Sequence, residues 1–483
     1  MTIRLLLLLT CFLHTAIACE AKVKVRVAKS FVYRYYLRDK QGCGFSLDHP
    51  ARFLSVKAIE RRKRQRLRAD STDLPVSRRY VDLLRTPDTE VLGTSRWNNT
   101  VVVRSADSLL LERLGRQPFV REARMVWHSP DSLPKAGDED VKWTVRKSFQ
   151  KWDSVKNDPY GMSRPQVEML GGDRLHEIGL RGEGMTIAVL DGGFLNVHRI
   201  GCLSGVHIAG VKDFVEPWRT PDDAADWSGQ QPVRQTEAFF EGMDHGTRVL
   251  SVLAADAPEV MMGTAPKASY WLLRCEDPAT EQPVEEDYWA MAAEYADSVG
   301  ADVISSSLGY NEYDKHLGSY RLKDLDGQTA LISRTASMLA RKGMVLCNSA
   351  GNSGMSTWKK IGVPADAHDI LTVGAINKDG RIAAFSSVGP SQDLRVKPDV
   401  VAIGAPAALV NGKGMLAHDM GTSFSTPVVA GLVACLWQGL RQKTALEIIE
   451  LVRHTARQYE SPDNVYGYGT PDFWQAYMAG QNK

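Results

Sequence analysis

Short apolar stretches alternate with longer segments of helical period from about residue 161 onward. Residues 185–190 read as a buried strand ending at Asp191, and 246–255 as a helix. Residues 270–274 and 303–306 read as strands, with a helix over 285–300 between them. A helix over 330–342 precedes a strand at 344–347, and 370–373 and 399–402 are further short strands. The apolar run 428–440, entered through Pro427 in a first helical turn, and a helix over 444–455 close the pattern. Such alternation predicts an α/β unit, a mostly parallel sheet with helices on both faces. Sheets of this kind hold ligands at the carboxyl ends of their strands.

The earlier part of the chain has a different rhythm. Residues 23–37 are rich in β-branched and aromatic side chains and predict a strand, followed by a helix over 55–67. Strands at 91–96 and 100–104, a helix at 106–115 and a strand at 119–126 follow. Strand, helix, strand, strand, helix, strand is the order of a small α+β ferredoxin-like domain, here spanning 22–127. Its helix carries Arg61-Arg62-Lys63-Arg64, which reads as a solvated face, with a processing or docking surface as the alternative. Residues 128–160 hold charges, prolines and no sustained apolar period, and are taken as a linker. The α/β unit is then 161–483.

Composition narrows the class. The 483 residues are 43% hydrophobic and 24% charged, with net charge +2, which argues against nucleic acid held by bulk charge. Arg4, the leucines from Leu5 and Ala16-Ile17-Ala18 have the form of a signal peptide over 1–18, too short for a membrane span. The expected location is exported: periplasmic, cell-surface or extracellular. Cys19 directly follows, so lipid anchoring there stands beside free export. The seven cysteines contain no C-x-x-C, which favours buried free thiols over a disulfide framework or a zinc site.

Four stretches carry candidate chemistry. Asp191 ends a buried strand before Gly192-Gly193, where an aspartate either serves a site or starts a turn. His245, in Asp244-His245-Gly246-Thr247, opens an apolar helix where a general base could stand. Asn352 lies between Gly351 and Ser353-Gly354, after a strand, so its amide can point outward. Ser423, in Gly421-Thr422-Ser423-Phe424-Ser425-Thr426-Pro427, stands at the mouth of a buried helix. Free N–H groups there can stabilise an oxyanion, or the serine can simply cap the helix. Asp324-Leu325-Asp326-Gly327 could begin a calcium loop, but the other ligands of such a loop are absent and a capping loop is the better reading.

Taken together, residues 161–478 resemble the subtilisin-like serine proteases. Asp191, His245 and Ser423 follow that family's order, and His245-Gly246-Thr247 and Gly421–Pro427 look like its histidine and serine motifs. Ala350-Gly351-Asn352 is similar to the segment that supplies its oxyanion-hole amide, and Ser307-Leu308-Gly309 to its substrate-binding strand edge. The resemblance implies a secreted serine endopeptidase with catalytic Asp191, His245 and Ser423. It implies an oxyanion hole from Asn352 and the Ser423 backbone, and a polypeptide substrate paired along Ser307, Leu308 and Gly309. It also implies that 22–127 is a propeptide acting as intramolecular inhibitor, with an appended interaction domain as the alternative. No cofactor is assigned; structural calcium is compatible with the family, but no ligands are identified. Members often carry Ser or Thr after the catalytic aspartate, where this chain has Gly192. An inactive member serving as a binding module is the competing reading, and an esterase is disfavoured because G-x-S-x-G is missing around the serine.

Overall fold

A computed structural model describes residues 29–130, 145–150, 153–216 and 237–481. The signal segment and Cys19 therefore lie outside the described residues. The N-terminal sheet comprises β1 (Phe31–Leu37), β2 (Glu90–Ser95), β3 (Thr100–Ser105) and β4 (Val120–His128). Its order is β2-β3-β1-β4, antiparallel throughout, with α1 (Val56–Arg64), α2 (Arg78–Leu84) and α3 (Ser108–Leu114) as its helices. The ferredoxin-like arrangement is present, but its first sheet-packed helix is α2, whose Tyr80 and Leu84 join the sheet core, while the expected helix, α1, lies outside that core with Ala58 in a separate cluster. Arg78-Arg79-Tyr80-Val81-Asp82 is too short and too charged to announce itself.

The period of two along β3 explains how this sheet is used. Val101 and Val103 pack with Tyr35, Leu111 and Leu114 in the domain's own core. Val102 faces the other way and joins a cluster shared with the α/β unit. One face of the sheet thus carries its own helices and the other is laid on the rest of the molecule.

The α/β unit is built on seven strands: β5 (Thr186–Asp191), β6 (His207–Asp213), β7 (Ser269–Arg274), β8 (Val303–Ser306), β9 (Val345–Ser349), β10 (Leu371–Ile376) and β11 (Val400–Ile403). Their order is β11-β10-β9-β8-β5-β7-β6, every neighbouring pair parallel. Being covered on both faces, β5 is buried at all its positions. Ile187 and Val189 enter one core, with α4 (His245–Ala254) and α6 (Thr422–Gly439). Ala188 and Leu190 enter the other, with α5 (Val284–Val299). The segment read as one helix over 330–342 is instead a short helix, Leu331–Ala336, and a separate 3-10 turn at Ala340–Lys342.

α5 is the floor on which the N-terminal domain rests, and the contact is ionic. Arg34 grips buried Asp287 with two hydrogen bonds of 2.7 and 2.6 Å. Asp297 takes Arg62 at 2.8 and 3.0 Å, Arg96 at 2.6 Å, and also Arg61. Burial pushes the Asp297 carboxyl up, but Arg62, Arg61 and Arg96 together override it and hold it well below the usual range. Arg61 and Arg62 are buried against α5 while Lys63 and Arg64 stay exposed, so the basic run is half docking surface and half solvated face. Glu294 completes the contact by accepting the backbone N–H groups of Arg96 and Trp97 at 2.8 and 3.1 Å.

Candidate active site

The ends of β5, β8 and β9 bring the predicted residues to one edge of the sheet. Asp191 is fully buried, and its Oδ1 accepts the N–H of Gly192 at 2.8 Å. His245 is the first residue of α4, and its Nδ1 lies 2.9 and 3.1 Å from the two Asp191 oxygens. Gly246 makes that approach feasible. A Cβ there would lie 2.5 Å from the Gly193 carbonyl oxygen and 3.0 Å from Asp191 Cβ. Asp244 fixes the helix start from the other side: its Oδ2 accepts from Gly412 N and from Arg248 Nε, each at 3.0 Å.

The Asp191 carboxylate pushes the His245 pKa up to about 9, against the opposing effect of burial; Glu276 adds to the rise. The imidazole is thus held with Nδ1 directed at Asp191, leaving Nε2 on the open side.

Ser423 is the second residue of α6, and Gly421 is its N-cap. The helix begins earlier than expected, so Pro427 stands in its second turn. Proline has no N–H to give to the carbonyl four residues back, which is that of Ser423. The Ser307 hydroxyl takes the vacant place, donating to Ser423 O at 2.8 Å. Ser423 Oγ in turn donates to Ser307 O at 3.4 Å, and no hydrogen bond joins it to His245 among the described residues. Nucleophile and base often draw together only around a substrate. The neighbouring Phe424 ring lies 5.8 Å from the His245 ring, centre to centre, which places this turn against the histidine.

Asn352 is exposed, just beyond β9, after Gly351 at φ 104°. Its Oδ1 accepts from Thr422 N at 3.0 Å and Thr422 Oγ1 at 2.9 Å. With the oxygen anchored to the turn that carries Ser423, the Asn352 NH₂ remains as a donor beside the serine. Ser307 and Leu308 are buried and Gly309 is exposed. Leu308 O is held by Asn348 Nδ2 at 3.2 Å, and Tyr310 pairs with Val363 at 2.8 and 2.9 Å, so 307–309 is a braced extended edge.

The calcium reading of the 324–327 loop finds a simpler structure. Asp324 accepts Arg321 N at 2.9 Å, and Asp326 accepts Gln328 N and Thr329 N at 2.8 and 2.7 Å, as capping carboxylates do. Cys43, Cys202, Cys275, Cys347 and Cys435 are free, and all but Cys43 are buried.

Sequence reasoning did not single out Glu276, beside the histidine, or Tyr310. Their signal was positional: Asp191 pairs with Arg274 across β5 and β7, so a carboxyl two residues past Arg274 falls at the same edge.

Comparison with known proteins gives the family. The subtilase family model matches residues 182–469, more than half of the chain. The peptidase S8 propeptide domain of Bacteroidota matches residues 32–140. Subtilisin NAT of Bacillus subtilis subsp. natto is 27% identical over 314 residues, 64% of this chain and 69% of that protein. Subtilisin of Bacillus pumilus is 26% identical over 314 residues, 64% of this chain and 95% of its own. The membrane-bound transcription factor site-1 protease of Mus musculus is 28% identical over 327 residues, 65% of this chain but 27% of its own length. The chain belongs to the subtilase family of serine endopeptidases. It carries that family's propeptide domain ahead of the α/β unit.

Proposed function

We propose that the protein cleaves peptide bonds through an acyl-enzyme formed on Ser423. The observation that carries this is the Asp191–His245 contact at 2.9 Å, set against the first turn of the helix that bears Ser423 and the anchored Asn352. Ser423 Oγ attacks the carbonyl carbon while His245 Nε2 takes its proton. Asp191 accepts from Nδ1–H, holding the tautomer and stabilising the imidazolium. Asn352 NH₂ and Ser423 N–H stabilise the tetrahedral oxyanion, one such donor contributing about 3–4 kcal/mol. His245 then returns the proton to the leaving amine, and water repeats the sequence to release the acid. The substrate backbone pairs with 307–309 as an added strand.

In the same reading, residues 1–18 direct export, 22–127 is the propeptide and 161–483 the peptidase. Among the described residues no helix is long and apolar enough to cross a membrane. Cleavage within 128–160 would free the propeptide, which α5 holds by the Asp287 and Asp297 ion pairs. A mature N-terminus near Glu20 would refute the propeptide assignment. For the nucleophile, a fluorophosphonate probe should label processed wild type and leave Ser423→Ala untouched; equal labelling of both, or of neither, sinks the proposal.

A further inference from the structure

Glu276, Glu281 and Glu285 lie around Tyr310, and Glu276 also stands beside the Asp191–His245 pair. Glu276 Oε2 sits 3.1 Å from where a side chain at position 192 would begin. The bare Gly192 therefore makes room for a carboxyl that a serine or threonine there would crowd. Tyr310, the residue after the extended edge, is 1% exposed; its hydroxyl lies close to Glu276 without completing a hydrogen bond to it or to any other group. Glu285 is fully buried. Its Oε1 accepts Asp277 N at 2.7 Å, but its Oε2 has no partner. Glu281 stands half-buried beside them, its backbone N–H on Asp314 at 3.0 Å.

Buried polar atoms without partners are rare, and two of them, Tyr310 OH and Glu285 Oε2, stand within electrostatic reach of Glu276. Among the described residues no lysine or arginine forms a salt bridge with Glu276, Glu281 or Glu285. Burial and the nearby Asp191 push Glu276 up to about 8. Burial and Asp314 push Glu281 up to about 7, and burial with Glu281 and Glu276 pushes Glu285 up to about 10. The cluster thus lacks the cation its carboxyls would favour. Among the described residues no group of His, Cys, Asp or Glu is gathered to hold a metal ion. What reaches this place in the proposed reaction is a peptide lying along 307–309.

We propose that Glu276, with Glu281, Glu285 and the Tyr310 hydroxyl, receives a lysine or arginine side chain of the substrate on the acyl side of the scissile bond. A guanidinium offers planar paired donors to the Glu276 carboxylate and further N–H groups for the orphaned oxygens. An acidic substrate side chain brings no cation to ionise these carboxyls and would push them higher still, so it is disfavoured. The inference rests on Ser423 as nucleophile and 307–309 as the edge that pairs with substrate.

The test uses the full-length protein after processing, with quenched fluorescent peptides that vary one acyl-side position at a time among Arg, Lys, Leu and Glu. At one position Arg or Lys should exceed Leu in kcat/KM by about tenfold or more, with Glu the poorest. Glu276→Gln should bring the Arg-to-Leu ratio toward unity, and Glu276→Arg should invert the order of Arg and Glu peptides; the ratios are read whatever the absolute rates. Ser423-dependent hydrolysis with no basic preference, or a preference unmoved in both variants, overturns the inference alone. Absence of Ser423-dependent hydrolysis from every peptide overturns the protease reading and this inference with it.

Discussion

Asp191→Asn tests the arrangement most directly. The carboxylate raises His245 from 6.5 to about 9. That shift corresponds to roughly 3 kcal/mol in favour of the imidazolium. At pH 7 only about one His245 in a hundred is then the free base. Turnover should therefore climb with pH, with the midpoint of the acid limb near 9. The asparagine removes the attraction, so the base fraction at pH 7 rises by well over tenfold. It also offers Nδ1 an amide that can present oxygen or NH₂, and the tautomer is no longer fixed. Loss of that anchor lowers kcat by about 10⁴ where it has been measured in another serine protease. The assay is kcat/KM for one peptide across neutral to strongly alkaline pH, in wild type and variant. The variant's plateau should fall by about 10⁴ while its acid limb moves down by about two pH units. A lowered plateau with an unmoved midpoint would refute the electrostatic account of His245. Folding stability responds in the opposite sense. A histidine whose pKa is raised on folding contributes stability fully below about 6.5, lost as pH rises through about 9. The wild type should exceed Asp191→Asn in Tm by more at pH 6 than at pH 9.5.

Other substitutions separate the remaining parts. Asn352→Ala should lower kcat by about 10²–10³ with little change in KM, by steady-state kinetics; a loss confined to KM would remove the amide from the oxyanion site. Ser307→Ala orphans the Ser423 carbonyl and should destabilise by about 1–3 kcal/mol in urea unfolding. Adding Pro427→Ala supplies a helical N–H to that carbonyl, so the double variant should recover part of the loss; strict additivity would refute the pairing. Asp297→Ala leaves Arg61 and Arg96 buried without their carboxylate and Arg62 with Asp73 alone, and should weaken docking of the N-terminal domain by about 3–5 kcal/mol. Urea-dependent protection of the uncleaved precursor from an added protease would report it.

Much of this protein is local in origin. The buried strands are legible because a parallel strand covered on both faces must be apolar at nearly every position, as Ile187-Ala188-Val189-Leu190 is. Asp191, His245, Asn352 and Ser423 are legible because each sits in a short glycine-containing turn at the end of a strand or the start of a helix, where chemistry and local geometry are written together. Other features depend on partners far along the chain. Arg61 and Arg62 look like any solvated basic run until Asp297, more than 230 residues on, is folded against them. Pro427 reads as a first-turn proline until Ser307, over a hundred residues earlier, is seen to take the hydrogen-bonding place that its missing N–H leaves at Ser423. Glu276 reads as a loop carboxyl until β7 is laid beside β5 and Gly192 leaves it space. Periodicity and turn chemistry are properties of neighbours in sequence, and they determined the elements and the candidate site residues. Which charges meet, which carbonyls are left open and what surrounds the histidine are properties of neighbours in space, and only the packed structure decided them.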